Sequence, residues 1–404
     1  MTNYVSTLNV LLYGNPIATI TNVGNDRTLF AFMDSYINDE SRPVLGLGFK
    51  DSLGGLLTNF KPTQTKLTPF FSNLLPEETM RRYLAERAGV NPAREFFLLW
   101  VLGQDLAGAI TVEPADGEAL PPNVHEGIDV GAIIEAPMRF SLAGVQLKFS
   151  AVQQASGGLT VPATGTGGSW IVKLPSSRFD AVPENEYSMM ELARMLGMDV
   201  PETQLLPINQ IANIPNGIGK YGGSAFAIKR FDRAGAQAIH IEDFAQVFGV
   251  YPQDKYKKAS MRNIAQVIGI EGQYEDIAEF TRRLVFNTLI GNADMHLKNW
   301  SVIYKDKRTA SIAPAYDFVS TISYIPDDSA SLKVSRSKKF SDFTLDELSH
   351  LAAKAMLPEK LVLDTAKQTV AGFHEVWQKE KAHLPLTKSM IEAIETHLRS
   401  IPLR

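Results

Sequence analysis

Asp294-Met295-His296-Leu297-Lys298-Asn299 sets a carboxylate and a carboxamide five residues apart on a polar segment. Its surroundings give that segment a definite place. Upstream, Glu275 to Ile290 carries Ile277, Phe280, Leu284 and Thr288 at helical spacing, and Gly291-Asn292 stops the helix. Downstream, a strand over Trp300–Tyr304, a charged turn over Lys305–Arg308 and a second strand lead through Ala315-Tyr316 to Asp317. A buried helix, a polar loop and a hairpin, in that order, deliver Asp317 back beside Asp294. Phosphoryl transfer needs such a layout: one carboxylate to take the proton of an incoming hydroxyl, an amide oxygen and a second carboxylate to hold Mg²⁺ against nucleotide phosphates. On this reading Asp294 is the base and Asn299 and Asp317 are metal ligands. Lys298 adds positive charge near the transferred group, and His296 braces the loop. Asp-x-His-x-x-Asn alone is a weak signal, so the ordered set carries the reading.

A nucleotide site also needs a lysine and a loop over the phosphates, and two arrangements compete. In one, Ser141-Leu142-Ala143-Gly144-Val145-Gln146-Leu147-Lys148 is the loop and Lys173 the inner lysine. Lys173 ends the apolar strand Trp170-Ile171-Val172, where a lone charge is costly without a partner, and Glu186 on the next helix could supply one. In the other, Gly217-Ile218-Gly219-Lys220-Tyr221-Gly222 matches G-x-G-x-x-G and Lys229 follows in Ala227-Ile228-Lys229. Lys229 is only seven residues past Gly222, too few to finish one strand and return on the next, so this cluster reads as a hairpin turn. The chain contains neither G-x-x-x-x-G-K-[ST] nor His-Glu-x-x-His, which speaks against a P-loop NTPase and a zinc hydrolase.

Further out, the chain divides by composition. Residues 1–113 read as a small α+β unit: a hairpin over 4–22, a helix over 77–91 and a second from Arg94 to Leu102. A Pro-, Gly- and acid-rich linker occupies 114–135, a strand-rich lobe 136–235 and a helical lobe 236–404. In the middle lobe, Phe149 to Val152, Trp170 to Lys173 and Phe226 to Phe231 are strands, and Asn185 to Leu196 is a helix. From about Ile241 the chain is expected to turn helical. The expected fold is therefore α+β and bilobal, with a ligand cleft between the lobes. Among 404 residues, 45% are hydrophobic, 21% are charged and none is cysteine, which excludes disulfides, thiolate metal sites and a cysteine nucleophile. The net charge of −4 and the lack of a basic arm argue against tight DNA binding by this chain alone. No apolar run approaches the roughly 20 residues that span a bilayer, and no signal peptide is read at the N-terminus. A cytoplasmic protein is expected.

Several of these segments together resemble a known family. Phe140 to Lys148, Trp170-Ile171-Val172-Lys173-Leu174-Pro175, Asn185-Glu186-Tyr187, Lys229-Arg230-Phe231-Asp232-Arg233, Asp294 to Asn299 and Tyr316-Asp317 look like the bacterial HipA serine/threonine kinases, toxins of HipA/HipB toxin–antitoxin systems. Asn73-Leu74-Leu75-Pro76 and Leu102-Gly103-Gln104-Asp105-Leu106-Ala107-Gly108-Ala109 look like that family's first domain, so the likeness spans nearly the whole chain. It implies a protein-kinase-like fold, with Asp294 as catalytic base and Asn299 and Asp317 as Mg²⁺ ligands. Lys173 would contact ATP phosphates, and Ala143, Gly144, Val145, Gln146, Leu147 and Lys148 would form the phosphate loop. Lys229, Arg230 and Phe231 would form the hinge beside adenine, with His296 and Tyr316 also in the nucleotide site. Ser141 matches the family's autophosphorylated serine. Leu147 departs from the pattern, standing where many relatives carry an acidic residue, and Asn292-Ala293 before Asp294 departs as well.

The resemblance further implies a translation component, such as an aminoacyl-tRNA synthetase, as protein substrate. It implies neutralisation by a small DNA-binding HipB-like antitoxin, and contact with DNA only through that complex, which represses its own operon. Two rivals remain at this stage. Asp-x-His-x-x-Asn also looks like phosphoinositide kinases, which would make the chain a small-molecule or lipid kinase. A pseudokinase serving as corepressor is the other, and the intact set Lys173, Asp294, Asn299 and Asp317 argues against it.

Overall fold

The computed structural model of the protein describes residues 4–116, 148–154, 158–162, 167–176, 178–214, 222–326 and 329–403. Ser141, the run Ala143 to Leu147, Gly217 to Tyr221 and most of the expected linker lie outside the described residues.

The N-terminal unit is built on strands β1 (Thr7–Leu12), β2 (Asn15–Asn22), β3 (Arg27–Phe32), β4 (Thr63–Gln64) and β5 (Ile110–Pro114). They form an antiparallel sheet in the order β4-β3-β2-β1-β5. Leu8, Val10 and Leu12 alternate inward and are fully buried, as period-2 patterning requires. Tyr13 and Gly14 make the β1–β2 turn with φ of 54° and 78°, the left-handed pair that suits a tight hairpin. Helices Glu78–Ala88 and Glu95–Leu102 pack into the same core.

The second sheet takes β6 (Lys148–Gln153), β7 (Leu159–Thr160), β8 (Trp170–Lys173), β9 (Thr203–Pro207), β10 (Ile211–Ala212) and β11 (Ser224–Lys229) in the order β10-β7-β6-β8-β11-β9. Its two faces have different fates. Phe149, Ala151, Trp170, Val172, Ala225 and Ala227 join the core of the N-terminal unit. The other face carries Lys148, Lys173 and Phe226 in one cross-strand row, since Lys148 pairs with Lys173 and Lys173 with Phe226. That face looks onto the helix Val182–Met195, whose Met189, Met190 and Leu192 belong to the core of the helical lobe. The helix begins three residues before the expected start: Pro183 sits in its first turn, where a missing N–H costs nothing.

A short connection, β12 (Arg233–Ala234) and β13 (Gln237–Ala238), leads into the helical lobe. Here one expectation is corrected. Ile241 does not begin helix: β14 (His240–Asp243) is a strand, paired with β15 (Ser301–Tyr304), which pairs with β16 (Ser311–Ile312). The inward positions of β14 are His240 and Glu242, both fully buried, so its alternation is invisible to a hydrophobic pattern. Strand β11 likewise stops at Lys229, and Arg230 and Phe231 lie beyond it. The helix Tyr274–Leu289 buries Ile277, Phe280, Leu284 and Thr288 as read from sequence, and Gly291 ends it at a φ of 66°. Helices Leu345–Ala355, Glu359–Glu380 and Lys388–Ser400 complete this lobe.

Candidate active site

A cleft of about 1230 Å³ opens between the sheet β6–β8–β11 and the helical lobe. Its lining includes Lys148, Lys173, Glu186, Asp294, Asn299 and Asp317. Strand β8 presents Lys173 and the helix Val182–Met195 presents Glu186, both almost fully buried. The Lys173 ammonium donates to the Glu186 carboxylate and to Asp317 Oδ1, and lies 5.6 Å from the centre of the Phe226 ring. Burial opposes a charge on Lys173, yet the two carboxylates outweigh it and push the ammonium above its ordinary range. The same lysine and Lys148 pull Asp317 well below the usual carboxylate range against the effect of burial. Glu186 goes the other way, up to about 7, because its burial exceeds what Lys173 returns.

Lys148 lies across the ladder from Lys173 and has no ion-pair partner among the described residues. Burial brings its pKa down to about 8, with Asp317 opposing and Lys173 adding to the fall. An unpartnered cation beside a paired one is what an incoming polyanion would neutralise.

The 294–299 loop lies on the floor of the cleft. Asp294 Oδ1 accepts from the Tyr256 hydroxyl at 2.9 Å. Burial raises the Asp294 pKa despite that bond. Asn299 Nδ2 donates to the Asp294 carbonyl at 2.9 Å, which closes the loop and leaves Asn299 Oδ1 without a donor among the described residues. Asp317 adopts a φ of 58°, a conformation rarely taken by residues with a side chain. Asn292 Nδ2 donates to the Asp317 carbonyl at 3.4 Å, tying the two segments together.

The remaining expected residues within the described set also line the cleft. Phe231 and Tyr316 face it with ring centres 5.7 Å apart. The Tyr316 hydroxyl donates to the Lys298 carbonyl at 3.0 Å. His296 is buried, packed edge-on to Tyr256 at 5.1 Å, with Nδ1 unpartnered among the described residues. Burial, with Lys255 adding, takes its pKa to about 3, so it is a neutral ring. Three of them have side chains engaged by protein partners. Lys298 Nζ turns to Glu77 Oε1 at 2.7 Å and the Asn73 carbonyl at 3.1 Å. The Arg230 guanidinium is spent on Asp105, Asp232 and the Leu106 carbonyl, in a buried network shared with Arg233. Lys229 is exposed at the end of β11 and pairs with Glu202 at 3.2 Å.

Models of known protein families match the sequence over both halves of the chain. A model described as the HipA-like C-terminal domain matches residues 140–377, and one described as the HipA N-terminal domain matches residues 8–113. The chain belongs to the HipA family. It is 56% identical over 405 residues to the Sinorhizobium fredii protein named "Putative kinase Y4dM", with 99% of this chain and 98% of that protein covered. It is 29% identical over 298 residues to the Shewanella oneidensis "Serine/threonine-protein kinase toxin HipA", with 65% of each covered. The fold matches the S. oneidensis HipA solved with HipB and operator DNA, at a TM-score of 0.72 and 21% identity, over 97% of this chain and 95% of that one. The bilobal, kinase-like α+β fold expected from sequence is thus the fold of this HipA-family chain.

Sequence reasoning passed over Tyr256, Lys255 and Glu77, which all line or support the cleft. Tyr256 and Lys255 sit 38 and 39 residues before Asp294 in a segment without a motif. Glu77 directly follows Asn73-Leu74-Leu75-Pro76, a family-like run whose purpose no local pattern discloses.

Proposed function

We propose that this protein is an ATP- and Mg²⁺-dependent serine/threonine protein kinase of the HipA toxin kind. The observation that carries the reading is the convergence of Lys173, Glu186, Asp294, Asn299 and Asp317 on one cleft, with Lys173 bridging Glu186 and Asp317. Asn299 Oδ1 and the Asp317 carboxylate are hard oxygen donors that suit Mg²⁺. Bound there, Mg·ATP would supply the phosphoryl group and the charge neutralisation its transfer needs.

The protein's own groups do the rest. Tyr256 holds one carboxylate oxygen of Asp294, leaving the other to take the proton of an acceptor hydroxyl. Lys173 stays cationic between its two carboxylates and would contact the phosphates of bound nucleotide, to which Lys148 would add a second positive charge. Phe231 and Tyr316 offer flat apolar surfaces to a purine. A cleft of about 1230 Å³ exceeds the ~300–1,000 Å³ of a small-ligand pocket, which leaves room for a polypeptide acceptor beside the nucleotide.

The S. oneidensis toxin relative and the solved HipA–HipB–operator complex support extending the reading to a toxin bound by a HipB-like, DNA-binding antitoxin, with DNA reached through that partner. Incubating the purified protein with γ-labelled ATP, Mg²⁺ and a nucleotide-depleted cell lysate tests the core of it. A labelled protein band yielding phosphoserine or phosphothreonine is expected. Label in lipid or a metabolite, or none anywhere, would overturn it.

A further inference from the structure

The catalytic loop of this fold is not held by its own lobe alone. Glu77 comes from the N-terminal unit, at the entry to the helix Glu78–Ala88, and its side chain is 12% exposed. Its two oxygens meet two lysines of the helical lobe: Oε1 is 2.7 Å from Lys298 Nζ and Oε2 is 2.8 Å from Lys255 Nζ. Both lysines are almost fully buried. Each also lies next to a group the site uses. Lys298 is the neighbour of Asn299, and its carbonyl receives the Tyr316 hydroxyl. Lys255 is the neighbour of Tyr256, which holds Asp294, and its carbonyl accepts from Leu297 N at 3.4 Å. Asn73 reinforces the join, because its carbonyl accepts from Lys298 and its Nδ2 donates to the Val250 carbonyl at 2.7 Å. Without Glu77, two buried ammonium groups would stand close together without the carboxylate that pairs with both, leaving only the longer-range fields of Asp243 and Asp294 to offset their repulsion.

We propose that Glu77 is a positioning residue of the phosphoryl-transfer site, clamping Lys298 and Lys255 so that Tyr256 and the base Asp294 keep their places. The N-terminal unit is on this account part of the active site and not an appendage to it. Glu77 touches no expected nucleotide contact: Lys173, Glu186 and Asp317 pair among themselves on the opposite wall. The clamp therefore acts on the transfer step and spares nucleotide affinity.

The inference rests on the kinase reading above, and one set of measurements separates the two. Full-length wild type, Glu77→Gln, Lys298→Met and the double variant are compared for label transfer from γ-labelled ATP to lysate protein, for Mg·ATP affinity by calorimetry and for thermal unfolding. Glu77→Gln keeps the shape and removes the charge. It should transfer at least about tenfold more slowly, while its Mg·ATP Kd stays within about threefold of wild type. Lys298→Met should show the same split, and the double variant should be no slower than the slower single one, because both act through one contact. If Glu77→Gln folds poorly, Lys298→Met still carries the test, since Glu77 then keeps Lys255 as partner. Wild-type transfer by folded Glu77→Gln or Lys298→Met overturns the clamp, and so does a loss matched by equally weakened nucleotide binding. A wild-type protein that binds Mg·ATP and transfers nothing overturns the kinase reading, and the clamp falls with it.

Discussion

At the scale of single residues, the site is organised by which charges are already paired. Lys173 sits between two carboxylates, Lys298 and Lys255 share a third, and Lys148 alone among the cleft lysines has no ion-pair partner within the described residues. Lys173→Ala would remove a phosphate donor and the cation that offsets the charge of Asp317, while Glu186, already raised by burial, would take up a proton. Calorimetry should show Mg·ATP binding weakened by about 1.5–3 kcal/mol, the range of a hydrogen bond to a charged group. Lys229→Ala should be within about 0.5 kcal/mol of wild type, because that lysine is exposed and held only by Glu202. The reverse ranking would mean that the second sheet presents the nucleotide from another edge. The pairing of Lys173 with Glu186 was legible in the sequence, since an isolated charge on Trp170-Ile171-Val172 demands a partner and Glu186 follows on the next helix. The pairing of Lys298 with Glu77 was not. It joins residues 221 positions apart, and nothing near Lys298 announces where its ammonium points.

At the scale of elements, the helix Tyr274–Leu289 and the strands after it carry the loop. Phe280 is fully buried in that helix, with its ring 5.0 Å from Trp300, the residue that follows Asn299 and precedes β15. Phe280→Ala should cost about 3–5 kcal/mol of stability, as buried aromatic truncations do, read from the midpoint of denaturant unfolding. A cost under about 1 kcal/mol would show that the helix does not anchor the loop. Elements whose buried face is apolar were readable: this helix, β8 and the first hairpin all fall within a residue or two of expectation. Elements whose inward face is polar were not. His240 and Glu242 gave β14 the look of ordinary polar sequence, although their burial is what makes it a strand between lobes. The second strand of the Asp317 hairpin was also shorter than read: Ser311–Ile312 pairs with β15, Ala313 N adds one bond to the Ser301 carbonyl at 2.9 Å, and the chain then leaves the ladder before Asp317.

At the scale of the whole molecule, the N-terminal unit and the strand-rich lobe share one hydrophobic core, and polar contacts then bind that unit to the helical lobe. Glu242 is one such contact. Its Oε1 accepts from Leu47 N at 2.7 Å and from the Tyr304 hydroxyl, and its Oε2 has no partner among the described residues. Burial raises its pKa to about 8, from an ordinary value near 4.5. The proton on Glu242 therefore favours the folded state: its contribution is fully present below about pH 4.5 and is lost as pH rises toward 8. Glu242→Gln cannot lose that proton. Relative to wild type it should gain stability as pH climbs from 5 to 8, by up to about 1.4 kcal/mol per pH unit in unfolding free energy. A difference between the two proteins that does not change with pH would show that Glu242 stays ionised in its site. None of this interdomain wiring follows from local pattern, because its partners come from segments nearly 200 positions apart.

The central claim is that Asp294 serves as proton acceptor in a phosphoryl-transfer site whose nucleotide ligands lie elsewhere in the cleft. The measurement that meets it most directly is label transfer from γ-labelled ATP by purified Asp294→Ala, alongside calorimetric Mg·ATP binding by the same preparation. Removing the base and no phosphate ligand should abolish transfer and leave the Kd within about threefold of wild type. Transfer at the wild-type rate would contradict the account.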